Sequence, residues 1–351
     1  MFDINHTIKV FAELGSFLAQ FANGSNSGHH LNNTFFDKFE NAVLYAEAKN
    51  KWFTRSVQQQ AFAAWALSLQ EEKLQEWMSR YPEFKVPEVP KRVGIVMAGN
   101  IPLVGFHDFL TVILTGNIVL AKMAKDDAQF LPIIKEMLVE MAPELNERIF
   151  LVERIQKPDA VIATGSNNSA RYFESYFEKY PHVIRKNRTS VALISGDENE
   201  EDLSALGSDI FSYYGLGCRN VSKIYVPRNY DLNQIFAAIV GFDDVAINNK
   251  YVNNYEYYRT VYMLNKIPFL ENGFVIFKED TSLHTPIAVI HYEYYDVFNA
   301  VQNHMAEKAD ELQCVVGNGK GLIPFGKTQQ PELWDYADGV DTVDFLQKLS
   351  N

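Results

Sequence analysis

Residues 92–102 read RVGIVMAGNIP, and this stretch decides the fold. Its first seven residues are mostly apolar, which is typical of a buried strand. The strand ends at Gly99-Asn100, and Ile101-Pro102 follows where a helix can begin. In parallel α/β sheets, ligands bind beyond the carboxyl ends of the strands. The Gly99-Asn100 turn is therefore a candidate binding loop.

Strands and helices continue to alternate after this stretch. The pattern predicts strands at residues 118–122, 150–152 and 160–164, and helices at 132–141 and 170–179. Strands that alternate with helices indicate a doubly wound parallel sheet. The strand at 160–164 runs into Gly165-Ser166, a second turn at a carboxyl end.

Three regions are predicted in this α/β protein. Residues 1–88 form a helical N-terminal region that packs on the first sheet domain, residues 89–188 form that domain, and residues 189–351 form a second α/β domain with a C-terminal segment. Helical spacing of apolar residues before residue 80 and the prolines between Tyr81 and Pro90 support the first boundary. The tyrosine-rich segment at 248–265 favours half-buried strand packing over a binding groove.

The amino-acid composition and charge argue against some classes of function. The chain has 351 residues, of which 47% are apolar and 22% charged, so a sizeable core is available for two or three domains. Its net charge of -12 and the lack of a long basic run argue against nonspecific nucleic-acid binding. The longest apolar stretch, 101–123, is interrupted by polar residues and proline, so we expect no integral membrane segment.

The chain contains two cysteines, Cys218 and Cys314. A disulfide framework is therefore not expected, and a reduced, cytoplasmic setting is favoured. The segment from Met1 to Val10 lacks the basic and apolar parts of a signal peptide.

Cys218 is the strongest candidate for a catalytic residue. It lies in YYGLGCRN, residues 213–220, just before an apolar run that predicts a strand. Flanking glycines permit close substrate approach, and Arg219 offers a cation that favours the reactive thiolate. The alternative is a buried, inert cysteine, which is the commoner state of a free thiol.

The order of four short motifs resembles the aldehyde dehydrogenase superfamily. These are the strand leading to GNIP at 99–102, GNIVLAK at 116–122, ATGS at 163–166, and Gly217-Cys218. IPFGKTQ at 323–329 and DYADGVDTVDFL at 335–346 narrow the resemblance to the acyl-CoA reductase family, whose best-known member is the long-chain fatty-acid reductase of bacterial luminescence. The resemblance covers roughly residues 85–350.

The resemblance implies an aldehyde-dehydrogenase-like fold and an NAD(P)H-dependent reduction of an acyl thioester to an aldehyde. Residues 89–188 would bind the dinucleotide, NADPH or alternatively NADH, and residues 189–351 would carry the catalytic Cys218. Lys122 would bind the adenosine ribose or its phosphate, and Gly165 and Ser166 the pyrophosphate. The Asn100 side chain and the Cys218 N–H would stabilise the oxyanion. Alternatively, Lys122 is a solvated strand-end lysine and Gly165-Ser166 a plain helix cap.

Two departures from the superfamily pattern concern its glutamates. Where aldehyde-oxidising members keep Glu-Leu-Gly-Gly to activate water, residues 182–188 read HVIRKNR and contain no carboxylate. Where members keep Glu-x-Phe-Gly-Pro at the nicotinamide ribose, residues 282–286 read SLHTP. The first loss fits a reductase that must keep water from its acyl-enzyme.

Other polar clusters remain outside the predicted site. The cations Arg185, Lys186 and Arg188 favour a solvated charge run over a phosphate site, and Asp338, Asp341 and Asp344 favour an acidic helix start over a metal site. No His/Cys cluster has zinc spacing. The histidines have no decisive spacing and are not assigned a role.

Three competing functions stay open at the level of sequence. They are another aldehyde dehydrogenase, a catalytically silent homologue that binds acyl groups or a partner enzyme, and a Cys-His acyltransferase or hydrolase. The expected partner is an acyl thioester, with a homo-oligomer or an acyl-transferring enzyme as further alternatives.

Overall fold

The computed structural model describes residues 2–349 and consists of two compact units. The first unit comprises Met1–Lys186 and Glu332–Asn351, and the second comprises Asn187–Pro331. No helix within the described residues is long and apolar enough to cross a membrane.

The first unit begins with four helices. They are α1 (Ile4–Asn23), α2 (Asn32–Lys49), α3 (Arg55–Ser68) and α4 (Glu71–Ser79). The Asp3 side chain caps α1 by accepting the N–H groups of Asn5 and His6, which have no partner inside the helix. Buried phenylalanines from these helices pack on one another and on the helix at residues 130–141. The N-terminal region is helical, as predicted, and its buried residues belong to the same core cluster as those of the first sheet.

A five-stranded parallel sheet follows the helices. Its elements are β1 (Arg92–Val96), α5 (Phe106–Leu114), β2 (Ile118–Lys122), α6 (Phe130–Met141), β3 (Ile149–Leu151), β4 (Ala160–Thr164), α7 (Asn167–Phe177) and β5 (His182–Arg185). The strand order is β3-β2-β1-β4-β5, and every pair is parallel. This order confirms the doubly wound sheet, with its topological switch point between β1 and β4.

The second unit holds a six-stranded sheet. Its elements are β6 (Thr189–Leu193), α8 (Glu200–Phe211), β7 (Val221–Pro227), α9 (Asn233–Ala238), α10 (Asn249–Leu264), β8 (Leu270–Glu271), β9 (Ile276–Glu279), β10 (Val289–Tyr295), α11 (Phe298–Glu307) and β11 (Leu312–Gly317). The order is β11-β6-β7-β10-β9-β8, and only the β8–β9 pair is antiparallel. The tyrosine-rich segment forms α10, so the expectation of a strand there is wrong. Asn248 caps this helix by accepting the Lys250 and Tyr251 N–H groups.

The C-terminal segment belongs to the first unit, whereas the sequence grouped it with the second domain. Its helix α12 (Thr342–Lys348) packs on α5. Trp77 Nε1 donates to Tyr336 Oη at 2.8 Å, and Tyr81 Oη donates to an Asp341 carboxylate oxygen at 2.7 Å. These bonds tie the segment to α4 and to the residues just after it, over a separation of more than 250 positions in the chain.

Candidate active site

The residues predicted to bind the dinucleotide lie along one edge of the first sheet. Lys122 ends β2, the loop with Asn100 follows β1, and Gly165-Ser166 follows β4. Because β2, β1 and β4 are adjacent and parallel, their carboxyl ends meet at the same edge. The structure thus brings these predicted residues together at the switch point, where doubly wound sheets bind ligands.

The Asp127 side chain anchors the loop after β1 through a hydrogen bond to its backbone. Leu103 adopts a left-handed backbone conformation, with φ of 57°, and its N–H donates to Asp127 Oδ2 at 2.8 Å. A Cβ on Gly99 would lie 2.5 Å from Ala124 Cβ, so only glycine fits this close approach. Burial raises the pKa of the Asp127 carboxyl well above its ordinary value. Asn100 itself is exposed on this anchored loop.

Lys122 is half-buried at the end of β2. Its carbonyl accepts the Met97 N–H at 3.0 Å, which extends the pairing with β1 by one residue. Among residues 2–349, no group forms a hydrogen bond or an ion pair with its Nζ. The ammonium group is therefore available for an anionic or hydroxyl ligand at this sheet edge.

Ser166 is the N-cap of α7. Its Oγ accepts the Ser169 N–H at 3.2 Å. A Cβ on Gly165 would lie 2.8 Å from Ser169 Cβ, so glycine allows the helix to start directly against the strand end. Ser166 thus has the capping role of the alternative interpretation, and α7 presents its amino terminus at the predicted pyrophosphate position.

Cys218 is exposed on a turn in front of β7. The backbone leading to it is strained, since Tyr213, Tyr214 and Gly215 have φ of 52°, 57° and 75°. The left-handed region costs a residue with a side chain about 1–2 kcal/mol. Two consecutive tyrosines in this region persist only where the surroundings hold them.

Two polar side chains hold the turn. The Ser190 hydroxyl on β6 donates to the Cys218 carbonyl at 2.9 Å. The buried Asn220 side chain accepts the Gly217 N–H at 2.9 Å. Its Nδ2 group donates to carbonyls at the end of α8 and just after it, namely those of Asp209, Ile210 and Ser212.

Arg219 is directed towards β11 and the chain beyond it. Its Nη1 donates to the Cys314 sulfur and to the Thr328 carbonyl, each at 3.4 Å. Cys314 is buried, and this burial raises the pKa of its thiol. The two cysteines therefore differ sharply, because Cys218 is exposed and Cys314 lies in the core.

Comparison with known proteins identifies the family. The family model for acyl-CoA reductase (LuxC) matches residues 11–237, which is more than half of the chain. The chain belongs to the acyl-CoA reductase (LuxC) family. No curated protein sequence matches it significantly.

Solved aldehyde dehydrogenases share the fold of this LuxC-family protein. An indole-3-acetaldehyde dehydrogenase of P. syringae, solved with NAD+ and IAA, has a TM-score of 0.61 at 11% identity and covers 90% of this chain and 72% of its own. An aldehyde dehydrogenase of Mycobacterium tuberculosis, solved with NAD+, has a TM-score of 0.61 at 16% identity and covers 90% of this chain and 73% of its own. Aldehyde dehydrogenase 21 of Physcomitrella patens reaches 0.63 at 12% identity, covering 99% and 85%. Membership of the acyl-CoA reductase (LuxC) family identifies an oxidoreductase, and the solved structures show that its fold is that of the aldehyde dehydrogenases.

The IPFGKTQ motif of this LuxC-family chain is anchored to α8. Asp209 accepts hydrogen bonds from the Gly326 N–H at 2.7 Å and from the N–H and hydroxyl of Thr328 at 3.1 and 2.8 Å. Burial raises the pKa of Asp209 against the lowering effect of these bonds. Because the Thr328 carbonyl accepts from Arg219, the motif supports the segment next to Cys218.

The basic run near residue 186 divides into three separate contacts. Arg185 is buried and pairs with Asp108 on α5 at 2.5 Å. Lys186 pairs with Glu174 at 2.9 Å, and Arg188 donates to the Ala309 and Leu312 carbonyls. Neither a solvated charge run nor a phosphate cluster describes these residues. No sequence pattern marks Arg185 as buried, because its partner Asp108 lies 77 positions away.

The SLHTP segment, residues 282–286, lies in the loop between β9 and β10. Ser222 Oγ donates to the Leu283 carbonyl at 2.8 Å, which places the loop against the start of β7. The fully buried Lys223 donates to the Thr281 carbonyl at 2.9 Å and to Glu293 at 2.6 Å. Burial lowers the pKa of Lys223. Lys223 was not predicted from the sequence, because it lies in a strand with an ordinary alternation of apolar and polar residues.

Two of the three predicted acidic residues of the tail, Asp341 and Asp344, serve α12, and Asp338 lies in the turn before it. Asp341 is its N-cap and accepts the Asp344 N–H at 2.9 Å, while Asp344 pairs with Lys348. This arrangement is the acidic helix start that the sequence favoured.

Glu13, His29 and His30 form a cluster that the sequence did not predict. One ligand atom from each lies within 4.8 Å of the other two. However, Nδ1 of His29 accepts the Leu31 N–H at 3.3 Å, so the proton of the neutral ring is on Nε2, 3.3 Å from the Glu13 carboxylate. We interpret the cluster as a histidine–carboxylate contact and assign no metal to it.

Proposed function

We propose that this protein reduces a fatty acyl thioester, such as an acyl-CoA, to the aldehyde with NADPH or NADH. Membership of the acyl-CoA reductase family supports the reaction class. The observation that carries the proposal is the exposed thiol of Cys218, held on a strained and hydrogen-bonded turn, while Cys314 is buried. Strain that the surroundings maintain is a frequent property of active-site backbone.

Cys218 first exchanges with the thiol of the substrate. Its thiolate attacks the thioester carbonyl and forms a carbon–sulfur bond, the carbonyl electrons move to oxygen, and the coenzyme A thiolate leaves as the carbonyl reforms. The Asn100 side-chain amide and the Cys218 N–H are proposed to donate to the transient oxyanion. The product is a thioacyl group on Cys218.

The edge of the first sheet fits a dinucleotide. Lys122 would bind the adenosine ribose or its phosphate with an ammonium group that no described residue engages. The N–H groups at the start of α7, beside Gly165 and Ser166, would bind the pyrophosphate. When bound, the reduced nicotinamide supplies a hydride to the acyl carbon. Cys218 then leaves as a thiolate, and the aldehyde is released.

Residues 182–188 offer no carboxylate to activate water against the thioacyl group. Where oxidising relatives keep Glu-Leu-Gly-Gly, the strand β5 ends in Arg185, whose guanidinium is buried against Asp108. We therefore propose that hydrolysis of the acyl-enzyme is slow. This favours reduction over acid formation and separates the protein from an ordinary aldehyde dehydrogenase.

Acylation of Cys218 is the direct test of the proposed chemistry. Labelled acyl-CoA without cofactor should leave label on the protein that neutral hydroxylamine releases, and peptide mapping should place it on Cys218. Cys218→Ala should abolish the label. Cys314→Ala is the matched control and should retain it, because that thiol is buried.

A panel of acyl-CoAs with each reduced cofactor, followed by nicotinamide absorbance, then defines chain length and cofactor. Label that survives Cys218→Ala and disappears in Cys314→Ala would overturn the assignment. No label from any acyl-CoA would support the catalytically silent alternative.

A further inference from the structure

We propose that Asn220 is a positioning residue for Cys218, which sets the geometry of the turn that carries the nucleophile. The inference rests on the proposed role of Cys218 and adds a residue with no catalytic contact of its own. Asn220 follows Cys218 by two positions and is 3% exposed.

The Asn220 amide joins the two ends of the segment between α8 and β7. Its Oδ1 accepts the Gly217 N–H, immediately before Cys218, at 2.9 Å. Its Nδ2 lies 3.1 Å from the Asp209 carbonyl, 3.3 Å from that of Ile210 and 2.8 Å from that of Ser212. Carbonyls in the last turn of a helix lack intrahelical partners, so Asn220 satisfies groups that α8 leaves open.

Only a carboxamide side chain can both accept the Gly217 N–H and donate to the carbonyls near the end of α8 from this position. An aspartate would keep the acceptor but would place its second oxygen against three carbonyl oxygens, and a serine has one hydrogen to donate. The side chain is buried, so water does not replace the lost bonds freely. Asn220 is therefore matched to its surroundings in length, polarity and donor number.

The strained backbone explains why the bonds matter for geometry. Tyr213, Tyr214 and Gly215 all have positive φ, and they lie between the two sets of Asn220 bonds. A residue with a side chain leaves this region readily when its surroundings no longer hold it. Without Asn220, relaxation of these residues would shift Gly217 and Cys218. The Ser190 bond to the Cys218 carbonyl and the contacts of Arg219 would remain, but none of these bonds reaches the carbonyls at the end of α8.

Such a shift affects acyl transfer more than simple thiol reactivity. Acyl transfer needs the Cys218 sulfur and its N–H in register with one carbonyl, and a displacement of about 1 Å can cost ~10²-fold in rate. Alkylation by iodoacetamide needs an exposed thiolate and no oxyanion donor. The two reactions therefore separate positioning from general loosening.

The experiment compares p-nitrophenyl acetate with iodoacetamide on the full-length protein. We expect Asn220→Ala to lower the rate of the p-nitrophenol burst by about 10²-fold while Cys218 alkylation, located by peptide mapping, changes little. Asn220→Gln keeps an amide on a longer arm and should retain more of the burst. Asn265→Ala is the matched control, because Asn265 also donates to a helix-end carbonyl, that of Val261, but is exposed at the far end of α10.

An unchanged burst in folded Asn220→Ala would overturn the proposal, as would a parallel fall of burst and alkylation in both Asn220 variants. If Asn220→Ala does not fold, the comparison rests on Asn220→Gln against wild type. Because p-nitrophenyl acetate contains no coenzyme A, an Asn220-dependent burst without labelling by any acyl-CoA would refute the proposed substrate and leave the positioning role intact.

Discussion

At the scale of single residues, the Asn100 side chain is proposed to donate a hydrogen bond to the oxyanion. It is exposed on a loop whose backbone is fixed by Gly99 and by the Leu103–Asp127 bond. Asn100→Ala is expected to lower turnover by about 10²–10³-fold, as expected for a lost oxyanion donor, without changing the melting temperature. Steady-state kinetics with acyl-CoA and reduced cofactor, together with thermal unfolding, measure both.

Asn146→Ala provides the control for that substitution. Asn146 is also exposed and lies before β3, at the opposite edge of the sheet. Turnover that is unchanged in Asn100→Ala would show that another group stabilises the oxyanion and that Asn100 serves the loop alone.

Some residues were predictable from the sequence and others were not. The turn at Asn100, the strand-end Lys122 and the cap at Ser166 follow from local pattern, because strand ends and helix starts have short signatures. Three other residues act through partners distant in the chain or through burial, namely Asn220, Lys223 and Arg185. Neither property has a local signature, so no sequence pattern selects these residues.

At the scale of elements, the loop after β1 depends on one buried carboxyl. The folded protein raises the pKa of Asp127, so the native state retains a proton that the unfolded chain releases. The free energy of unfolding should therefore fall as pH rises from the ordinary pKa of aspartate through the raised folded value. Asp127→Asn keeps an acceptor for the Leu103 N–H and does not titrate.

Thermal unfolding across this pH range tests the account of the loop. The melting temperature of Asp127→Asn should gain on wild type as pH increases. Asp127→Ala should cost about 1–3 kcal/mol of stability, because the buried Leu103 N–H loses its partner. Identical pH dependence in Asp127→Asn and wild type would contradict the raised pKa, and a neutral Asp127→Ala would contradict the anchoring role.

Strands with short continuous apolar runs were also elements that the sequence predicted well. The strands at 118–122 and 160–164 coincide with β2 and β4, since buried parallel strands have compact apolar runs. The segment 248–265 was predicted wrongly, because tyrosine favours strands by propensity while the Asn248 cap and tertiary packing select a helix. Propensity is a weak guide where caps and packing oppose it.

At the scale of the whole molecule, the chain returns to its first unit after building the second. The returning segment is held by a partly buried hydrogen-bonded cluster of three side chains, those of Trp77, Tyr81 and Tyr336. The sequence indicated an α/β protein with a helical beginning, and the structure confirms that class. It gave no sign that the last helix rejoins the first unit, because contacts over such sequence distances leave no local pattern.

We propose that the protein exchanges acyl groups between thiols and hydrolyses its acyl-enzyme poorly. A missing general base typically costs about 10²–10⁴-fold, so aldehyde and oxidised cofactor alone should yield free acid slowly. A thiolate needs no such base, so added coenzyme A should restore fast reaction and divert the product to acyl-CoA. Cys218→Ala should abolish both reactions.

The ratio of the two rates, with and without coenzyme A, is therefore the most direct measurement. We expect a ratio far above one, with acyl-CoA as the product when coenzyme A is present. Equal rates, with free acid as the product in both cases, would contradict it and identify an ordinary aldehyde dehydrogenase.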